Sequence, residues 1–129
     1  MTKVHVLQVN DEQKNINDLN DAIKAGHTDP EGWQMPKTAA PGDLVVWYAA
    51  RRHPLGQHFI ALGRVEEKPS KVRQGFGPYR GQVAGIRKIE PVDAKKVRKE
   101  SRVYGGHEGP QTVPDEKAVA FLLSLGLLD

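Results

Sequence analysis

Trp47 and Tyr48 stand side by side in the run Leu44-Val45-Val46-Trp47-Tyr48-Ala49-Ala50, and two arginines, Arg51 and Arg52, follow at once. Successive side chains of a strand point to opposite faces. Leu44, Val46 and Tyr48 therefore share one face, and Val45 and Trp47 the other. A strand ending in large rings beside a cationic loop suits a pocket for a flat, anionic ligand such as a nucleotide. Burial of both rings in a β-rich core is the competing expectation. A second indole, Trp33, lies in the polar stretch from His27 to Pro41, either at such a pocket or tucked down as a plug. Asn10 follows the first apolar run of the chain. Its amide both donates and accepts, which suits the edge of a base, and Asn is equally a turn-former. Asn10, Trp33, Trp47 and Tyr48 are thus the candidate base pocket.

Around it, Arg51, Arg52, Lys71, Arg73, Arg80, Arg87 and Lys88 are candidates for phosphate contacts. Phe76 and Tyr79, in Gly75-Phe76-Gly77-Pro78-Tyr79-Arg80-Gly81, either slide against a base or anchor that loop. The charge distribution agrees. Overall the chain carries a net charge of +3, but residues 1–43 hold four lysines against seven acids, and residues 64–103 hold twelve cations against five acids. Such asymmetry suggests a cationic face, for which nucleic acid is the expected polyanion. A solvated basic surface is the plainer alternative.

Catalytic constellations are weak. With no cysteine, there is no disulfide framework and no thiolate for metal or nucleophilic chemistry. His53 and His58 lie five apart across a turn and could approach each other, but no third ligand is evident and two histidines do not make a zinc site. His5, inside an apolar run, reads as a core histidine. Ser70, Ser101 and Ser124 lie in no nucleophile elbow, and there is no phosphate-binding glycine motif. No enzymatic activity, cofactor or metal is therefore expected.

The elements that must hold these residues are short. Val4–Val9 reads as a buried strand. Ile16, Leu19 and Ile23 recur at helical spacing up to a cap at Gly26. Strands are expected from Asp43, over His58–Glu66 with a bulge at Gly63, and over Gln82–Glu90, ended by Pro91. Residues 69–81 and 105–110 read as loops. A charged helix is expected over residues 93–102. A final helix from Pro114 has Val119, Leu122, Leu123 and Leu125 as its apolar face. Little β–α–β alternation is visible. At 129 residues the expectation is one domain, α+β, built on a small twisted barrel of about five strands with two to three flanking helices. The N-terminus lacks the apolar run of a signal peptide, and no segment is long enough to span a membrane, so a cytoplasmic protein is expected.

Gly42-Asp43, an apolar pair, Trp47-Tyr48, and then Ile60-Ala61-Leu62-Gly63-Arg64-Val65-Glu66 resemble the EVE domains of the PUA-like superfamily, which are related to YTH and ASCH domains. The resemblance implies a PUA-like pseudobarrel that flips a modified, for example methylated, base of DNA into an aromatic pocket. It also implies the recognition half of a modification-dependent restriction system, with a nuclease as fused or associated partner. Ala49-Ala50 stand where many EVE domains carry His-Ser, which places Ala50 at the pocket without a polar side chain. The related families imply two alternatives: an RNA-binding domain, or an ASCH-type amidohydrolase acting on a modified nucleoside, with Lys37 or Glu66 as its test positions.

Overall fold

The computed structural model describes residues 3–50, 52–72, 79–101 and 110–127. Arg51, Arg73 and Phe76, three of the expected nucleic-acid contacts, lie outside the described residues. In chain order the elements are β1 (Val4–Val9), α1 (Gln13–Ala25), β2 (Trp33–Gln34), β3 (Leu44–Ala49), β4 (His58–Val65), β5 (Ser70–Lys71), β6 (Tyr79–Gly81), β7 (Val83–Asp93), α2 (Ala94–Ser101), β8 (Gln111–Thr112) and α3 (Asp115–Ser124). One sheet has five strands in the order β7-β4-β3-β1-β8, and a smaller one has the order β2-β6-β5. The larger sheet stays open, with β7 and β8 as its edges, so the architecture is α+β as expected, around an open five-stranded sheet and not a closed barrel.

β1 and β3 are parallel, pairing Val4 with Leu44 through Val9 with Ala49. Parallel neighbours need a crossover, and α1 lies within it. One β–α–β unit therefore exists where the sequence showed little alternation, because the irregular residues between α1 and β3 conceal it. The ends of α1 follow from its residues. Gly26 takes a left-handed φ of +82° and its N–H closes on the Ala22 carbonyl at 2.8 Å, a conformation glycine adopts without a Cβ clash.

Two cores line the two faces of the large sheet. On one face Leu7, Val9, Val45, Trp47 and Ala49 pack with Leu19 and Ala22 of α1 and with Trp33 and Met35. On the other, Val4, Val6, Val46, Tyr48 and Phe59 pack against Val97 of α2 and Phe121 of α3. The strand alternation expected for residues 44–48 holds. A bulge also falls at Gly63, where the β4–β7 register shifts between Leu62 and Arg64. A Cβ there would lie 2.8 Å from Cγ1 of Val83.

Three expectations are corrected. Pro91 does not end its strand, since β7 continues to Asp93. It sits at the sheet edge, in the stretch where the register with β4 shifts between Lys88 and Val92, and there a missing N–H costs no ladder bond. The face of α3 is only partly the one expected: Leu122 and Leu125 pack on the core as expected, but Val119 and Leu123 do not. Val119 is 62% and Leu123 47% exposed, whereas Phe121 and Leu125 are buried. Apolar residues run almost continuously from Ala118 to Leu123, and the largest ring wins the core, Phe121 packing edge-on at 5.3 Å from Phe59. Finally, residues 70–71 and 79–81 are strands and not loop; ladders of two or three residues leave no periodicity to detect.

Candidate nucleic-acid interface

The aromatic pair that looked most like a binding surface is sealed. Trp47 is fully buried and Tyr48 nearly so, on opposite faces of β3. Trp47 meets Trp33 almost perpendicularly at 5.6 Å, and Tyr48 packs on Phe59 at 5.4 Å. Neither ring lines a cavity with Asn10, so their expected place in the pocket is corrected. β3 is the central strand of the sheet, and both of its faces are covered. A two-sided core takes large rings from either face.

A cavity does open beside Asn10. It has a volume of about 150 Å³ and is lined by Gln8, Asn10, Asn15, Trp33, Gln34, Arg80 and Pro110. It lies at the carboxyl end of β1, where the first turn of α1 meets the small sheet. Of the expected site residues, Asn10, Trp33 and Arg80 are brought together here.

Backbone constraints fix the two asparagines. The Asn10 N–H donates to Oδ1 of Asn15 at 2.8 Å, and the Glu12 N–H donates to Oδ1 of Asn10 at 2.9 Å. Asn10 is thus both turn-former and cavity wall. Trp33 is likewise plug and wall. It is buried, and its Nε1 donates to the Gln8 carbonyl at 3.1 Å, which ties the small sheet to β1. Arg80 is no loose surface cation: Nε donates to the Glu31 carbonyl at 3.0 Å and Nη2 to that of Gly32 at 2.7 Å. Gly32, in the turn Arg80 clasps, is forced by space as well as by its φ of +71°, because a Cβ would fall 2.3 Å from the Gly81 carbonyl oxygen.

The remaining expected contacts separate by position. Tyr79 and Lys71 pair in the small sheet, one residue along from the Arg80–Ser70 pair. Ala50 does not line the cavity, but its N–H donates to the Val9 carbonyl at 2.8 Å, beside Asn10. Arg52 lies in the turn at this same end of the sheet, between Ala49 and its partner His58. Arg87 does not belong with them. It pairs with Leu62 and lines a groove with Gly42, Leu44 and Leu127, at the opposite end of β3. Lys88 is in mid-strand, opposite Ala61. A β-strand advances about 3.3 Å per residue, so sequence order along β7 carries both away from the cavity.

Sequence reasoning missed Gln8, Asn15, Gln34 and the exposed Lys95 and Lys96 of α2. Gln8 carried a signal as the one amide inside an apolar run. Lys95 and Lys96 follow Asp93, which pairs with His58 at the cavity end of the sheet.

A second polar cluster proves structural. His5 is fully buried, with Nε2 2.8 Å from Oδ2 of Asp43 and Nδ1 2.9 Å from the Thr112 hydroxyl. Asp43 also accepts the backbone N–H groups of Lys3 at 3.3 Å and Ala40 at 3.0 Å. Burial raises the Asp43 pKa, but these hydrogen bonds outweigh it and hold the carboxyl below its ordinary 3.8. His5 is the satisfied core histidine expected. No group of three or more potential metal ligands occurs among the described residues, and no helix among them is long and apolar enough to cross a membrane.

No family model and no curated protein matches the chain. Solved structures do. Protein Atu2648 from Agrobacterium tumefaciens superposes with a TM-score of 0.61 at 14% identity, over 98% of this chain and 94% of that one. The ASCH protein from Zymomonas mobilis gives 0.57 at 11% identity, over 94% of each chain. The Mmi1 YTH domain, solved in complex with RNA, gives 0.56 at 8% identity, over 97% of this chain and 78% of that one. The fold is PUA-like.

Proposed function

We propose that this chain binds nucleic acid and holds one unpaired base in the cavity beside Asn10, with single-stranded RNA as the preferred polymer. The observation that carries this reading is the convergence of Asn10, Asn15, Gln34 and Arg80 with an indole edge on a space of about 150 Å³. That volume lies below the roughly 300–1,000 Å³ of drug-sized pockets and suits a single base. Cations at the same end of the sheet, Arg52, Lys95 and Lys96, with Lys71 in the small sheet, would take the phosphates. RNA is placed first because the YTH neighbour was solved with RNA. Among the described residues the lining offers hydrogen bonds and no carboxylate, histidine or nucleophile, which favours binding over turnover.

A methylated base in duplex DNA, as the resemblance of Gly42–Tyr48 to EVE domains implies, is the second reading. With Trp47 and Tyr48 sealed, the aromatic cage that reading requires is not assembled from them. Fluorescence anisotropy with a labelled RNA of about nine nucleotides, in competition with methylated and unmethylated duplex DNA, tests both. The expected result is RNA binding that weakens with salt and falls about tenfold in Asn10→Ala, the effect of losing one good base contact. Stronger competition by the methylated duplex would reverse the choice of polymer, and binding to none of these at low salt would end the proposal.

A further inference from the structure

We infer that the cavity selects its base by an oxo edge, accepting a uracil- or guanine-type base and rejecting cytosine and adenine. This rests on the nucleic-acid reading above and deepens it. Its basis is the assignment of donors and acceptors in the lining. The Oδ1 atoms of Asn10 and Asn15 each accept a backbone N–H. Backbone N–H groups only donate, so both side-chain amides are oriented with Nδ2 outward. Neither Nδ2 has a partner among the described residues. Nε and Nη2 of Arg80 are bound to carbonyls, which leaves Nη1 as a further donor. The Gln8 carbonyl already accepts the Trp33 indole.

The groups that backbone partners fix, Asn10, Asn15 and Arg80, therefore offer donors, and the Gln34 amide can turn to accept. The first turn of α1 reinforces the bias, since the helix starts at Glu12 with no side-chain cap, leaving backbone N–H groups and the positive end of the helix on this side. Asp11 and Glu12 directly follow Asn10 and are exposed, which disfavours a formally charged occupant such as phosphate and favours a neutral acceptor.

Uracil presents O4, and guanine O6 with N7, where cytosine and adenine present exocyclic NH₂ donors. An NH₂ group facing Nδ2 and Nη1 would leave donors unpaired on both sides, and it is this desolvated mismatch that discriminates. Gln34 turned to accept would meet the ring N–H that uracil and guanine carry.

The test compares labelled RNAs of about nine uridines and about nine cytidines by anisotropy, with Asn10→Asp and Asn15→Asp as variants. Each substitution keeps the oxygen that accepts the backbone N–H, so the turn is retained, and replaces the outward donor by an acceptor. The ratio of the two affinities is the readout, because an added carboxylate weakens every oligonucleotide alike. The wild-type chain is expected to prefer uridine about tenfold, and either variant to lose or invert that preference. Equal binding, a preference for cytidine, or a ratio unmoved in both variants would overturn the inference and leave the nucleic-acid reading standing. Binding to neither RNA would remove both.

Discussion

The two ends of β1 each carry a cluster of polar side chains, and they differ in what they leave unmade. At one end His5, Asp43 and Thr112 bind each other, with both ring nitrogens of His5 and both carboxylate oxygens of Asp43 engaged. At the other, Asn10, Asn15 and Arg80 are each half engaged, oriented by backbone groups and holding spare donors toward a cavity. A buried network stabilises only when every member is satisfied. A binding site needs the reverse, groups held in place by some of their bonds and free to offer the rest. Polarity and residue type do not separate the two clusters; the fraction of hydrogen bonds already made does.

The largest effect that would break this comparison is on stability. Asp43→Ala leaves His5 and two backbone N–H groups without their acceptor, and urea unfolding should show a loss of about 3 kcal/mol, while the folded fraction binds RNA as before. A fall in RNA affinity as large as that of Asn10→Ala would show that the two clusters do not divide the work in this way. Next in size is an acid dependence. Because the folded Asp43 pKa lies below its ordinary value, its stabilisation is present at neutral pH and is lost as pH falls through the folded value. Asp43→Asn should flatten that acid limb of the unfolding free energy, and an unchanged limb would assign it to other carboxylates. The smallest effect concerns the two ends of the sheet. Substituting Lys95 and Lys96 by Gln should lower the salt slope of RNA binding by about 0.7 per lysine, whereas Arg87→Gln should leave it unaltered. An equal change from Arg87→Gln would mean that the opposite end also meets the polymer.

The long strands were legible because they are apolar runs, and in β1 and β3 the alternation is the one both cores confirm; β4 alternates less cleanly, with the neighbours Ile60 and Ala61 in one core. The small sheet was illegible: Trp33–Gln34, Ser70–Lys71 and Tyr79–Gly81 are too short to carry a period, and their pairing is set by tertiary contacts such as the clasp of Arg80 on the Glu31 and Gly32 carbonyls. The same limit governs the site. Asn10, Trp33 and Arg80 could be named from residue type, but Asn15 stands in a helical turn, where an amide looks like ordinary surface until Asn10 is seen to orient it. Trp47 and Tyr48 misled for the opposite reason. Aromatic residues next to arginines suggest a mouth, and only the coverage of both faces of β3 shows that they are core. Periodicity gives a strand its faces without saying that both will be covered.

One pairing sets an order on synthesis. His5 finds its hydroxyl partner 107 residues further along the chain, where β8 completes the flank of β1. As the polypeptide leaves the ribosome, the first strand can join β3 early but must wait with a bare margin and a half-paired imidazole until Thr112 emerges. Contacts of such long range slow folding and lengthen the exposure of unpaired edges. Until β8 emerges, the nascent chain therefore carries an unpaired strand margin open to aggregation, even after β3 has joined β1.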